Sequence, residues 1–186
     1  LGSVNTLINP AKLKNLVYEN PINRNAGLDI HENPIKNHQY LITVDVARGL
    51  GNDYSAFIVV DITNFPYNIV AKYKNNEIKP MLFPSIIYDV AKGYNDAFLL
   101  VEVNDIGDQV ASIIHYDLEY DNLLMASMRG RAGQVVGTGF SGKKTQLGVR
   151  TTAAVKKLGC SNLKTLLEDD KILVKDYEII SELTTF

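Results

Sequence analysis

The sequence predicts an α/β domain with a mixed sheet, in which three antiparallel strands are followed by parallel strands and helices flank the sheet. Three apolar, β-branched segments follow one another with short connections, a pattern typical of an antiparallel meander. Helical and strand-like segments then alternate, and a right-handed crossover places the fourth strand beside the first and parallel to it. Hydrophobic residues make up 46% of the 186 residues, enough for one globular core.

The first 38 residues are expected to form an arm or linker that enters the domain, because the segment is irregular and contains several Pro and many Asn. One short helix is predicted over residues 11–18, with Asn9 as its cap and Pro10 in its first turn. The domain itself is predicted to cover residues 39–186. The chain begins with Leu, so we expect it to be a fragment of a longer protein.

Strands are predicted where β-branched and aromatic residues form apolar or alternating runs. In chain order they cover residues 39–47, 54–63, 68–74, 97–103 and 123–128, with a short extra strand at 171–174. Helices are predicted where apolar residues recur every three or four positions. They cover residues 82–94, 107–120 and 151–167, and another begins at residue 177. Asn104 or Asp105 is expected to cap the second of these helices, and Gly159 to distort the third. Residues 129–148 are expected to form a long Gly-rich loop.

Two carboxylates are predicted at the same edge of this sheet. Asp45 falls near the C-terminal end of the first strand, and Glu102 falls near that of the fourth, inside an otherwise apolar run. In open α/β sheets this edge carries the site, and carboxylates on adjacent strands would converge on a hard cation such as Mg²⁺. Two such ions can activate water and stabilise the leaving oxygen of a phosphodiester. The structural alternative is that Asp45 caps a turn and Asp53 begins a hairpin strand.

Charge is unevenly distributed along the chain. Residues 122–167 contain no Asp or Glu, so all 21 acidic residues lie outside this stretch. Its positive charges are Arg129, Arg131, Lys143, Lys144, Arg150, Lys156, Lys157 and Lys164. An acidic body with one basic flank favours a polyanion bound beside the carboxylates. The candidate DNA-binding residues are Arg129, Arg131, Lys143, Lys144 and Arg150. The alternative is a solvated cationic face.

The segment Gly137–Lys144 nearly matches the phosphate-binding loop of nucleotide-binding proteins. The residue after Lys143 is Lys144, so Thr145 comes one position too late to supply the Mg²⁺-binding hydroxyl. A basic loop beside DNA is the preferred interpretation, because Gly permits close approach and Lys meets phosphates without reading sequence.

Several other classes of protein are disfavoured. No apolar run approaches the roughly 20 residues of a membrane span, and the chain does not begin with a secretory signal. Cys160 is the only cysteine, which excludes an internal disulfide and a thiolate metal cluster, and we expect it to serve packing. No His pair has the spacing of metal ligands.

Three segments of the chain carry a resemblance to a known family. YLITVDVARGLGNDYS, FLLVEVNDIG and LGCSNLKTLLEDDKILV resemble the nuclease domain of the terminase large subunit, the DNA packaging protein of T-even-type tailed bacteriophages. The resemblance covers residues 39–186 and implies a ribonuclease H-like fold. It also implies that Asp45 and Glu102 are catalytic metal ligands, that Asp53 is a supporting catalytic acid, and that a third ligand lies beyond Phe186. The acids that do not match this third motif are Asp169, Asp170 and Asp176.

The activity that the resemblance implies is that of an endonuclease. It would depend on Mg²⁺ or Mn²⁺, use two ions, and cut concatemeric double-stranded viral DNA with little sequence specificity during packaging. Implied partners are an N-terminal ATPase domain of the same protein, the portal and the small terminase subunit, with no membrane. The implied location is the host cell cytoplasm, transiently at the viral prohead. Three alternatives stay open: a Holliday-junction resolvase or recombinase, a non-catalytic DNA-binding or motor-coupling module, and a nucleotide-binding domain that uses residues 137–145.

Overall fold

The computed structural model describes residues 6–128, 134–138 and 145–186. The strands of the main sheet are β1 (Asn23–Asn25), β2 (Leu28–Ile30), β3 (Tyr40–Asp45), β4 (Ser55–Asp61), β5 (Tyr67–Asn75), β6 (Phe98–Val101) and β10 (Ile172–Leu173). A second, smaller sheet contains β7 (Met125–Met128), β8 (Gln134–Gly137) and β9 (Thr145–Leu147). The main sheet has the order β1-β2-β5-β4-β3-β6, and β10 also pairs with β5. The predicted mixed α/β sheet is therefore confirmed.

The strand directions follow from the lengths of the connections. The short connections between β3, β4 and β5 permit only antiparallel pairing, which the structure shows. The helix α2 (Phe83–Gly93) then carries the chain across the sheet, so that β6 returns parallel to β3. Residues pair in register from Leu41 with Phe98 to Val44 with Val101. This pairing fixes the strand ends at which the two predicted carboxylates lie.

Apolar residues cover both faces of the main sheet. On one face the alternate residues of β3, β4 and β6 form the larger core with α2 and α3 (Gly107–Ser112). The opposite face carries a second apolar cluster, to which residues of α1 (Pro10–Lys14), α4 (Ala153–Glu168) and α5 (Tyr177–Leu183) contribute. Near this cluster the Leu7 N–H donates to the carbonyl oxygen of Phe186 at 3.0 Å. Only part of the second face is covered, and the rest stays open beside the strand ends.

The N-terminal segment is more regular than the sequence predicts. Helix α1 begins at Pro10 with Asn9 as its cap, as expected, but it ends at Lys14 rather than at residue 18. The chain then extends, because the Glu19 N–H donates to the carbonyl oxygen of Lys175 at 2.9 Å. Strands β1 and β2 were not predicted, and β2 forms because β5 offers it an edge for pairing. The division into an arm and a domain stays a prediction.

The second predicted helix differs from expectation at both ends. Helix α3 ends at Ser112 and continues as a π-helical turn, Ile113–Asp117, which stops short of residue 120. The capping prediction was wrong, since Ile106 occupies the cap position and no side chain caps the helix. Asn104 and Asp105 hydrogen-bond elsewhere, to Glu102 and Arg48, because these polar partners compete with the helix end.

The Gly-rich stretch after residue 128 contains strands where a loop was predicted. Both β8 and β9 pair antiparallel with β7, which satisfies the edges of that strand. Residues 129–133 and 139–144 lie outside the described residues. The predicted strand at 171–174 is confirmed by β10. Helix α4 is continuous through Gly159, so the distortion predicted there was wrong. None of the helices within the described ranges has both the length and the apolarity to cross a bilayer.

Candidate metal centre

Asp45 and Glu102 lie side by side at the ends of two neighbouring strands. Asp45 ends β3, and Glu102 follows β6 one residue past the pair Val44–Val101. The Glu102 N–H donates to the Val44 carbonyl oxygen at 2.9 Å, which keeps the strands paired to this level. Val44 and Val101 belong to the larger core, so the residues that follow them both point to the opposite, partly open face. The structure thus brings these two carboxylates together.

Close backbone contacts fix the position of Glu102. A Cβ atom at Gly107 would lie 1.9 Å from the Glu102 carbonyl oxygen, so only glycine allows α3 to begin so near the strand. Gly148 has a φ of +67°, and a Cβ there would lie 2.2 Å from the Val101 carbonyl oxygen. Asn104 Nδ2 donates both to Glu102 Oε1, at 2.9 Å, and to the carbonyl oxygen of Thr151, at 3.1 Å. Backbone and side chain of Glu102 are therefore both held.

The connection between β3 and β4 is anchored immediately after Asp45. Ser55 is fully buried, and its Oγ accepts from the Ala47 N–H at 3.0 Å and donates to the Ala47 carbonyl oxygen at 3.3 Å. One hydroxyl therefore satisfies two backbone groups at the start of the connection. The remainder of the connection carries Asp53, whose side chain is exposed. Ser55 closes this connection at its base and thereby limits the movement of Asp45.

Electrostatic repulsion links the three acids. Partial burial of its carboxyl raises the pKa of Asp45, although the residue as a whole is exposed, and the charge of Glu102 raises the pKa further. A hydrogen bond from the Val46 backbone opposes this shift, and Asp53 adds to it. Over the parts of the chain that the structure describes, none of the three carboxylates forms an ion pair with Lys, Arg or His. The negative charge at the strand ends is therefore uncompensated by these residues.

Three of the described clefts contain Asp45, and two of them also contain the other candidate acids. The first, of about 370 Å³, contains both Asp45 and Glu102. Its other lining residues include Thr43, Ala56, Ile58, Leu100, Val149 and Thr151. The second, of about 420 Å³, lies on the side of the β3–β4 connection and contains Asp45 with Arg48, Asp53 and Asp105. A ligand at Asp45 could thus extend over the open sheet face or toward the connection.

The described residues supply a pair of adjacent carboxylates rather than a complete set of candidate metal ligands. No group of three Asp, Glu, His or Cys side chains among residues 6–128, 134–138 and 145–186 is arranged to hold a metal ion. Asp53 neighbours the pair without joining such a group. Asp169 and Asp170 pair instead with Lys171 and Lys12. Asp176 is buried in a network of its own with Lys72 and His31.

Arg150 is the one predicted DNA-binding residue that the structure describes. It is exposed and follows Val149, which forms a backbone bridge to Glu102. Gln134 fixes its backbone by accepting from the Arg150 N–H at 3.1 Å and donating to its carbonyl oxygen at 2.7 Å. Arg150 thus directly follows the residue whose backbone pairs with Glu102. The other four, Arg129, Arg131, Lys143 and Lys144, fall outside the described residues.

Sequence reasoning missed the residues that support the site. Ser55 carried no signal, because nothing in the sequence shows that its hydroxyl spans eight residues to reach Ala47. The sequence marks Asn104 as a candidate helix cap, whereas its amide binds the half-buried Glu102 two residues earlier. No pattern in the sequence marks Arg48, which forms an ion pair with Asp105 in the second cleft.

Solved structures with a similar fold include phage terminase nucleases. The large terminase nuclease of thermophilic phage G20c with bound magnesium is 19% identical with a TM-score of 0.72, over 99% of this chain and 82% of the other. The same nuclease with bound cobalt is 21% identical with a TM-score of 0.71, over 99% and 81%. The large terminase nuclease domain of Thermus phage P74-26 is 21% identical with a TM-score of 0.65, over 98% and 78%. These matches confirm the predicted ribonuclease H-like fold.

A family model gives the same result from the sequence. The model of the terminase RNaseH-like domain matches residues 42–186, which include every strand from β4 onward and both carboxylates of the pair. The chain therefore belongs to the terminase RNaseH-like domain family.

Proposed function

We propose that this domain is a divalent-metal-dependent endonuclease that cuts double-stranded DNA with little sequence preference, and that its substrate is concatemeric viral DNA during packaging. The observation that carries the proposal is the position of Asp45 and Glu102, level on adjacent strand ends and facing the same open side. Membership of the terminase family supports a role in phage DNA packaging. The closer kinship with T-even-type phages stays a prediction.

The carboxylate pair fits a hard divalent cation. Its donors are carboxylate oxygens, which Mg²⁺ and Mn²⁺ prefer. The pKa of Asp45 is raised first by burial and then by the charge of Glu102, and a bound cation would favour the ionised carboxylate against both. The similar nuclease of phage G20c has been crystallised with magnesium, cobalt and zinc, which supports divalent metal binding here. We propose Mg²⁺ or Mn²⁺ as the natural ions and two as their number.

Each acid has a proposed role. Asp45 and Glu102 would hold the metal, which when bound supplies the positive charge and water activation that phosphodiester hydrolysis requires. Asn104 orients Glu102, and Ser55 holds the connection that follows Asp45. Asp53 would be a supporting catalytic acid in the second cleft, where its charge already raises the pKa of Asp45. A third carboxylate ligand is proposed beyond Phe186, because the described residues supply two.

DNA would reach the carboxylates along the basic flank. Arg150 follows Val149, the bridge partner of Glu102, and is exposed, so it can meet a phosphate. The same role is proposed for Arg129, Arg131, Lys143 and Lys144 from the sequence. An N-terminal ATPase domain of the same protein, the portal and the small terminase subunit are the proposed partners. The proposed location is the host cytoplasm, transiently at the prohead.

The test is plasmid cleavage by a purified chain that continues past Phe186. We expect nicked and linear DNA with Mg²⁺ or Mn²⁺, no cleavage with EDTA, and weak cleavage with Ca²⁺, whose coordination is longer and looser. Cleavage in EDTA would overturn the metal dependence. Faster cutting of a four-way junction than of a linear duplex would instead favour a resolvase. Binding of DNA without any cleavage would favour a non-catalytic module.

ATP hydrolysis by the same chain distinguishes a nucleotide-binding domain from the nuclease. We expect none, because no Ser or Thr directly follows Lys143 to bind the Mg²⁺ of a nucleotide. ATP turnover that Lys143→Ala removes would contradict the nuclease proposal. The 186-residue chain, tested in parallel, shows whether residues after Phe186 are needed for cleavage.

A further inference from the structure

Arg48 and Asp105 form a two-bond ion pair at the entrance to the acidic site. Arg48 Nε donates to Asp105 Oδ2 at 2.7 Å, and Arg48 Nη2 donates to Asp105 Oδ1 at 2.6 Å. Arg48 follows Asp45 by three residues on the β3–β4 connection, and Asp105 follows Glu102 by three residues after β6. The pair therefore joins the two segments that leave the carboxylate pair.

The surroundings of Arg48 are acidic. Three carboxylates line the same cleft of about 420 Å³, those of Asp45, Asp53 and Asp105. Arg48 is the only cation among the described residues that line it. A DNA backbone that enters here is repelled by Asp45 and Asp53, and a bound metal offsets that repulsion only at its own position. An arginine at the entrance would offset the repulsion of a second phosphate by these carboxylates.

The pair contributes little to holding the fold together. The Arg48 side chain is 65% exposed and that of Asp105 is 57% exposed. Exposed ion pairs usually contribute little to stability, since water solvates both charges when they separate. The two bonds instead fix the plane of the guanidinium, because it binds side-on through Nε and Nη2. Three of its five N–H donors remain available for a second anion.

We propose that Arg48, positioned by Asp105, binds a backbone phosphate of the DNA that enters the cleft beside Asp45. This proposal rests on the proposed nuclease function and adds a substrate-binding residue to it. The planar guanidinium suits a phosphate because two parallel N–H groups can meet two phosphate oxygens. Asp105 is then a positioning residue, which contacts Arg48 and not the DNA. The contact reads no bases, in agreement with little sequence preference.

The first test measures binding of a fluorescent duplex in EDTA across a range of salt concentrations. Arg48→Ala should weaken binding about ten-fold for unrelated sequences and lower the salt slope by about one. Arg48→Lys should keep the salt slope and recover only part of the affinity, because an ammonium group lacks the parallel N–H donors of a guanidinium. The matched control is Arg24→Ala. Arg24 makes the same side-on pair, to Asp29 through Nε at 2.7 Å and Nη2 at 3.2 Å, but lines none of the three clefts that contain Asp45.

The second test measures cleavage kinetics with Mg²⁺. Asp105→Asn should raise KM several-fold with kcat nearly unchanged, because the arginine keeps its charge but loses its orientation. The double variant Arg48→Ala/Asp105→Asn should be no weaker than Arg48→Ala, since Asp105 acts through Arg48. Additive effects of the two changes would overturn the positioning role. Melting temperatures of all variants within about 2 °C of the unmodified chain show that the fold is intact.

Two outcomes separate this proposal from the proposed function. If the unmodified chain that continues past Phe186 cuts DNA, but Arg48→Ala binds and cuts as well as Arg24→Ala, the phosphate contact is wrong and the nuclease stands. If the unmodified chain neither binds nor cuts DNA, the nuclease proposal fails, and the contact fails with it.

Discussion

Glu102 lies level with Asp45 on the adjacent parallel strand, and its charge adds to the effect of burial in raising the pKa of the Asp45 carboxyl. The pairing of β3 with β6 imposes this closeness, because Val44 and Val101 are the last paired residues before the two acids. Two like charges at one sheet edge weaken the folded state unless a cation joins them. Without a cation the arrangement therefore lowers the stability of the folded state, and a bound cation would offset this loss.

Replacing either carboxylate of the pair should abolish cleavage without unfolding the chain. We expect Asp45→Asn and Glu102→Gln each to reduce the cleavage rate at least about 100-fold, which corresponds to about 2.7 kcal/mol of transition-state stabilisation. Both amides keep the size of the acid but bind hard cations poorly. Plasmid cleavage measures the effect, and circular dichroism checks the fold. Asp89→Asn, an exposed acid on α2, is the control and should cut normally. Full activity in either variant would remove that residue from the metal site.

Asp45→Asn should also make the metal-free chain slightly more stable at pH 7. A carboxyl whose folded pKa lies above its unfolded value destabilises the fold when ionised. The penalty shrinks as pH falls through the folded pKa and vanishes below the unfolded value near about 3.9. We expect a rise in melting temperature of about 1–2 °C at pH 7, given solvent screening at this exposed residue, and none near about pH 3. Mg²⁺ should stabilise the unmodified chain more than the variant. A lower melting temperature for Asp45→Asn at pH 7 would show that the repulsion is absent.

Loss of the Ser55 hydroxyl should destabilise the connection that follows Asp45. In Ser55→Ala the buried N–H and carbonyl of Ala47 lose their partner, which costs about 1–3 kcal/mol. The melting temperature should fall by about 2–4 °C for each kcal/mol. Metal affinity should also fall, measured by calorimetric titration with Mg²⁺, because the connection after Asp45 gains freedom. Ser85→Ala, at an exposed position on α2, should change neither quantity.

Asp176 should prove structural rather than catalytic. Its carboxylate accepts from the Ile179 N–H at 3.0 Å, caps α5 and lies 3.0 Å from Lys72 Nζ. Burial alone would raise its pKa, but these bonds and one with His31 lower it overall. The stability that Asp176 contributes is thus present above the unfolded pKa near about 3.9 and is lost as pH falls through the folded pKa.

We therefore expect Asp176→Asn to lower stability by about 1–3 kcal/mol at pH 7, with the difference closing in acid. Mg²⁺ affinity should be unchanged, because Asp176 is buried and lines none of the clefts that contain Asp45, although its partner Lys72 lines one of them. Urea unfolding at several pH values measures the first quantity, and calorimetric titration the second. A large loss of Mg²⁺ affinity would identify Asp176 as a ligand and contradict our choice of a third acid beyond Phe186.

Charge reversal in the basic stretch should weaken DNA binding without changing its sequence preference. Lys143→Glu with Lys144→Glu should reduce affinity similarly for unrelated duplexes and flatten the dependence on salt, because each lysine meets a phosphate. Fluorescence anisotropy at several salt concentrations measures both. Lys92→Glu is the control, since Lys92 lies on α2 and pairs with Asp96. A loss confined to particular sequences would show that this stretch reads bases.

The sequence was sufficient to predict the elements that carry the carboxylates. Tyr40–Asp45 and Phe98–Val101 are short apolar runs whose composition leaves few alternatives to buried strands. The lengths of their connections then determined direction and adjacency. Asp45 and Glu102 could therefore be placed together from the order and composition of their strands, because an acid at the end of such a run is rare without a partner.

What the sequence did not predict depends on contacts between distant residues. Leu28–Ile30 is too short for its sequence to predict a strand, and it pairs because β5 presents an edge. Asp105 was expected to cap α3, but the guanidinium of Arg48, 57 residues away, binds it instead. Strand β9 lies in a Gly-rich stretch that the sequence predicts as a loop, and it forms because β7 offers a free edge. In each case a tertiary partner overrides a local preference.

The hydrogen bond between Leu7 and Phe186 has a mechanical consequence. A pulling force that separates these two residues would load that single bond first and then the apolar contacts beneath it. Further extension would detach β2 and β10, the short strands that share the outer edge of β5. Tension applied at these two points would reach β3 and β6 last. The strand ends that hold Asp45 and Glu102 would thus keep their spacing at forces that already detach β2 and β10.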